Sequence, residues 1–89
     1  MLAVITVTGK DMVGVLAKVS GECADAGANI IDVSQTVMQG LFAMIMMVDI
    51  DGLNCDFTEM VDRMEKLGQS MGYVIHVMHE DIFNAMHRI

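Results

Sequence analysis

One stretch of this 89-residue chain concentrates groups able to hold a small charged molecule: Gly9-Lys10-Asp11-Met12-Val13-Gly14-Val15. Gly14 lets the backbone open at the head of a helix, where the N–H groups of Val13, Gly14 and Val15 have no intrahelical acceptor. Donors of that kind, reinforced by the helix dipole, suit an anion such as a carboxylate. Asp11 carries the opposite charge and could meet an ammonium group through a charge-assisted hydrogen bond. Further along, Asn29-Ile30 follows a glycine turn, and the Asn29 amide offers both a donor and an acceptor. Asp11, Val13, Gly14, Val15, Asn29 and Ile30 therefore form the candidate ligand-binding set. Each also has a plainer reading. Asp11 is among the preferred helix N-caps, Gly14 could serve close packing, and Asn29 tolerates turn conformations.

Other reactive side chains do not converge. His76 and His79 are three apart on what reads as a strand, so they point to opposite faces and cannot easily share a metal. Cys23 falls on an inner helix face and reads as inert. Cys55 lies in a loop with no neighbouring base to make it a nucleophile. Met44 and Met46 share a strand face, but a soft-metal site would also need an opening to solvent. Asp49, Asp51, Asn54 and Asp56 form an acidic turn, with Gly52 at the wrong offset for a calcium loop. No catalytic residues, no metal ligands and no cofactor are expected.

The elements that must hold the candidate set follow from periodicity. Leu2–Thr8 is β-branched and bounded by Gly9, and reads as a strand. Residues 13–26 have helical period, with Met12, Leu16, Val19, Cys23 and Ala26 on one face and Gly27 placed to end the helix. Residues 29–38 alternate, Ile31, Val33 and Val37 against Asp32, Ser34 and Thr36, and Gln39-Gly40 is a tight turn. Leu41–Val48 is apolar without interruption and is expected to be buried on both faces.

Asp56-Phe57-Thr58-Glu59 is a capping-box pattern. Behind it, Phe57, Met60, Val61, Met64, Leu67 and Met71 keep helical spacing, with Gly68 and Gly72 marking the end. Residues 73–79 read as a fourth strand. Residues 80–89 read as a short amphipathic helix, too short to stand alone in water, so it must pack on its own sheet or a partner's. The order β-α-β-β-α-β plus a terminal helix is the split βαβ, or ferredoxin-like, arrangement: an α+β sandwich with an antiparallel sheet in order 4-1-3-2.

Composition bounds the rest. Five basic and twelve acidic residues give a formal charge of −7. The charge is spread: residues 1–50 carry two basic and five acidic groups, residues 51–89 three and seven. No basic cluster is available for phosphates, which argues against nucleic acid and anionic membrane surfaces. No apolar run reaches the ~18 residues of a membrane span. The N-terminus shows no secretory leader and the cysteine usage fits a reducing compartment, so a cytoplasmic setting is expected. Hydrophobic residues make up 54% of the chain, eleven of them Met. That is more than so small a domain can hide, which points to a partner surface, most simply a second copy. The third strand's outer face and Ile82, Phe83, Met86 and Ile89 of the tail are where that surface is expected.

The segment Asp11 through Leu16, the Gly27–Ile30 turn and the strand through Gln35 resemble the ACT domain, a small-molecule-sensing module that often binds amino acids. The resemblance covers residues 1–89 as a single domain. The tail Glu80–Ile89 and the segment Ile31–Val37 look like the uncharacterised stand-alone ACT family of prokaryotes, which is similar to the ACT regions of the glycine cleavage system repressor. One departure is Val13, where many ACT domains have Pro. The resemblance implies a non-catalytic regulatory homodimer with an amino-acid ligand near Asp11, Gly14 and Asn29, where two subunits meet. The other reading is a ligand-free interaction module that docks on an enzyme or a transcriptional regulator.

Overall fold

A computed structural model describes residues 1–10 and 14–86, apart from the side chains of Met38 and Met86. Its elements are β1 (Leu2–Gly9), α1 (Val15–Ala26), β2 (Asn29–Met38), β3 (Leu41–Asp49), α2 (Phe57–Met71), β4 (Val74–His79) and α3 (Glu80–Met86). The four strands form one antiparallel sheet in the order β2-β3-β1-β4, as the sequence predicts. β1 is central, with Ala3 opposite Val48 on one side and His79 on the other.

The core lies between the sheet and the helices α1 and α2. Ala3, Ile5 and Val7 of β1 and Phe42, Met44, Met46 and Val48 of β3 alternate inward. They meet Val15, Val19 and Cys23 of α1 and Met60 and Met64 of α2. Methionine, unbranched and polarizable, fills the irregular gap between pleated sheet and helix ridges. Met44 and Met46 are fully buried.

Two helix ends are closed by the same device. Gly27 (φ 81°) and Gly72 (φ 79°) take left-handed conformations. Beyond them Ala28 N–H donates to Cys23 O at 2.8 Å and Tyr73 N–H to Gly68 O at 2.8 Å. This 6→1 closure is the Schellman motif, and it satisfies carbonyls the helix leaves over. Gln39 (φ 51°) and Gly40 (φ 81°) form a two-residue hairpin turn with both φ positive, the type that matches strand twist.

The structure corrects several expectations. α1 begins at Val15 with Gly14 as its N-cap, not at Asp11, which lies outside the described residues. Leu16 is exposed, and Val15 takes the inward position instead. β2 carries a bulge between Ile30 and Asp32, so Ile30 and Val33 pack on the core while Ile31 is exposed. β3 is central but buried on one face only: Leu41 and Ile45 are 52% and 42% exposed. Asp56 is the N-cap of α2, yet its side chain makes no capping bond. Gly68 lies inside α2, where a Cβ would stand 2.8 Å from Tyr73 O. α3 resolves its own alternative, for it packs on β1 and β4 of its own sheet. Val4 points away from α1 and α2 but is 1% exposed, so α3 covers that end of the outer face.

Candidate functional site

The candidate residues fall into two groups at opposite ends of α1. Gly14 stands at its head, five residues after Gly9 at the end of β1. Asn29 and Ile30 follow its tail, where Asn29 lies opposite Asp49, itself opposite Leu2. Twelve helical residues separate the groups, roughly 18 Å at 1.5 Å per residue. One chain does not bring them together. Asp11 and Val13 lie outside the described residues.

At the head, Gly14 adopts φ 74° and is exposed, with nothing within 4 Å of where a Cβ would stand. Its carbonyl accepts from Lys18 N–H at 3.0 Å, the first helical bond. Among the described residues no side chain caps this turn. Among the described residues, then, no side chain takes up the leading N–H groups of α1, which can turn to solvent or a ligand. Val15 is 0% exposed, so only its backbone can take part. Lys18, one turn into the helix, is exposed, as is Lys10 before the loop. Dipole and side chains together make it attractive to an anion.

The tail is opposite in character. The Asn29 side chain is exposed, while Ile30 packs on the core. Asn29 lies opposite Asp49 of β3, while Asp25 is in the last turn of α1 and Asp32 is paired with Met47 further along β2. The turn after β3 adds Asp51, whose N–H donates to Asp49 Oδ1 at 2.9 Å. Asn54 pins that turn to the helix: its N–H donates to Ala26 O at 2.9 Å and its Nδ2 to Asp25 O at 2.8 Å. Carboxylates beside a helix C-terminus attract cations, and the Met1 ammonium already stands 2.8 Å from Asp51 Oδ1 and 4.0 Å from Asp49 Oδ1.

Sequence reasoning missed Asp49 as a neighbour of Asn29, because that pairing depends on register. It also missed Tyr73. A Cβ on Gly9 would fall inside the Tyr73 ring, so the ring lies directly on the backbone that leads into the ligand loop. Only the glycine hinted at such a close approach.

The remaining reactive groups stay apart. The Cys23 thiol is pushed up to about 11, by burial first and the Glu22 charge second. Arg63 bridges α2 to α1 through Glu22 Oε1 at 2.8 Å and lies 3.9 Å from Cys55 Sγ. The Arg63 pKa is raised, chiefly by the Glu22 hydrogen bond. His79 faces the ring of Phe57 edge-on at 6.3 Å, whereas His76 is exposed on the other sheet face. Among the described residues no three His, Cys, Asp or Glu side chains gather as a metal site.

Comparison with known proteins agrees with this architecture. A family profile described as the ACT domain matches residues 1–78. A UPF0237 protein of Methanocaldococcus jannaschii is 48% identical over 86 residues, covering 97% of this chain and 96% of its own. Among solved structures, an ACT domain protein from Streptococcus pneumoniae superposes with a TM-score of 0.82 at 42% identity, covering 98% of each chain. A putative glycine cleavage system transcriptional repressor matches in fold alone, with a TM-score of 0.68 at 24% identity over 85% of this chain and 43% of its own.

Proposed function

The chain belongs to the ACT domain family, a family of regulatory ligand-binding domains, and from that premise we propose that it senses a free amino acid as a homodimer. The observation that carries this reading is the polarity of α1. Among the described residues no side chain caps its head at Gly14, with Lys18 exposed one turn on, and its tail leads to Asn29 opposite Asp49. A zwitterion needs both ends, and a single chain holds them roughly 18 Å apart.

A second copy related by a two-fold axis beside α1 and β2 brings the head of one helix to the tail of the other. The α-carboxylate then meets the N–H groups of Val13, Gly14 and Val15. The α-ammonium meets Asn29 and the carboxylates around it, with Asp11 added from the loop. Ile30 serves as the apolar floor. Leu16, Ile31 and Val37 are all exposed on that side, which gives the two copies apolar surface to share. The domain occupies residues 1–89, acts in the cytoplasm and catalyses nothing. Ligand binding biases the dimer, or an enzyme or regulator bound to it, through its higher affinity for one arrangement.

Calorimetric titration with the twenty amino acids tests the reading, on protein shown by sedimentation to be folded and dimeric. Binding by none of them rejects it. Subunit complementation tests the geometry. Gly14→Val and Asn29→Ala should each abolish binding alone, and mixed dimers should regain one of their two sites. Mixtures that stay silent would refute a site shared between copies.

A further inference from the structure

The two outer strands of the sheet are defended differently. β2 is broken by the bulge at Ile30/Asp32, and the Asp32 carboxylate accepts the N–H of Val33 at 2.9 Å. Bulges, charges and side-chain capping are the devices that keep another chain from adding to an edge. β4 has none of them. Its sequence, Val-Ile-His-Val-Met-His, contains no Lys, Arg, Asp, Glu, Pro or Gly. Its register with β1 runs without a break, and among the described residues no strand lies on its outer side. Alternate N–H and C=O groups of β4 therefore face outward.

Beside this edge the sheet and α2 leave an opening of about 260 Å³, lined by Glu65, Gln69, Tyr73, Val74, Ile75 and His76. It is large enough for one side chain of an added strand. Glu65 is the one acidic side chain that lines it. Glu65 and Gln69 stand four apart on the exposed face of α2, where Asp62 has Lys66 four residues on, and Glu80 and Asp81 follow the far end of β4, Asp81 within 3.7 Å of His79 Nδ1. A second copy fits poorly, because none of the four strands contains Lys or Arg. Two such edges would bring carboxylates against carboxylates.

We propose that the β4 edge accepts an extended basic segment of a different protein by strand addition. Backbone hydrogen bonds to Val74–His79 supply the affinity. A Lys or Arg side chain lies over Glu65, and one apolar side chain enters the opening beside Tyr73 and Ile75. The proposal does not rest on the amino-acid reading, since β4 and α2 take no part in that site.

The test uses the whole chain, ¹⁵N-labelled, and three synthetic heptapeptides with blocked ends. One alternates Val with Lys and Arg, the second replaces every basic residue by Glu, and the third is the basic peptide N-methylated on alternate amides. The basic peptide should shift the amide signals of residues 74–79 and slow the exchange of alternate ones. N-methylation and the acidic sequence should each weaken binding at least about tenfold. Glu65→Lys should weaken the basic peptide by about fivefold and favour the acidic one. The proposal is overturned if the basic peptide does not bind at millimolar concentration, or if the N-methylated or acidic peptide binds as well. It is overturned equally if the shifts map to β2 or the Gly14 loop. Protection of β4 that rises with protein concentration alone would assign the edge to a second copy and end the proposal.

Discussion

Gly14 and Gly27 share a left-handed backbone, φ 74° and 81°, but differ in what surrounds them. An alanine Cβ in that conformation costs about 1–2 kcal/mol. Part of this is offset, by about 0.4–1 kcal/mol, because alanine also restricts the unfolded chain. At Gly14 nothing stands within 4 Å of the added methyl, so Gly14→Ala should cost only about 1 kcal/mol. At Gly27 the methyl would overlap the carbonyl oxygen of Gly52 and stand 3.4 Å from Asn54 N.

Both obstacles are backbone, and the turn carrying them is tied down by the two Asn54 hydrogen bonds to Asp25 and Ala26. Relieving the overlap means pulling that turn away and losing both bonds, each contributing about 1 kcal/mol. Gly27→Ala should therefore cost about 3–4 kcal/mol, out of a total of about 4–13 kcal/mol for a chain of this length. Urea unfolding followed by far-UV circular dichroism, at one fixed protein concentration, measures the difference. In a thermal melt followed by the same signal, midpoint temperatures should fall by about 4–8 °C for Gly14→Ala and by at least twice that for Gly27→Ala. Costs within about 0.5 kcal/mol of each other would refute the claim that the turn at residues 50–54 is rigidly held against α1.

The two cysteines should behave differently toward a thiol reagent at pH 8. Cys23 is fully buried with its pKa pushed up to about 11, so it should react only as fast as the domain opens, while half-buried Cys55 reacts first. Equal rates in folded protein would contradict that burial. Truncation after His79 removes α3 and uncovers Val4, and should lower stability by about 1–2 kcal/mol in a urea titration. An unchanged midpoint would mean that α3 is not what shields Val4.

Sheet order and element sequence were legible because the apolar periods are clean and Gly27, Gly40 and Gly72 each punctuate a boundary. Local chemistry was less so. Val15 and Leu16 are both apolar and adjacent, and only the start of the helix at Gly14 decides which of them faces the core. The β2 bulge shifts the face of Ile31 and leaves no mark in residue type. For the candidate site, the identity of each residue was readable but the distance between the groups was not. Asn29 follows Gly14 by fifteen positions, and sequence spacing does not say that twelve of them form a helix carrying one group away from the other. Asp49 and Tyr73 entered the picture only through register and close packing. In both cases tertiary geometry, not local propensity, was the missing term.

The central place of β1 has a consequence for how the chain emerges from the ribosome. Ala3 pairs with both Val48 and His79, so of the four described strands the first made is completed by the last made. The β2–β3 hairpin, joined by two residues, can close in about 1–10 μs once its residues are free. β1 must wait for β4, and at typical elongation rates those residues arrive about 4–16 s later. Throughout that interval Leu2–Val7 is an apolar, β-prone segment whose β4 side is unpaired, so the nascent chain is aggregation-prone until β4 is released.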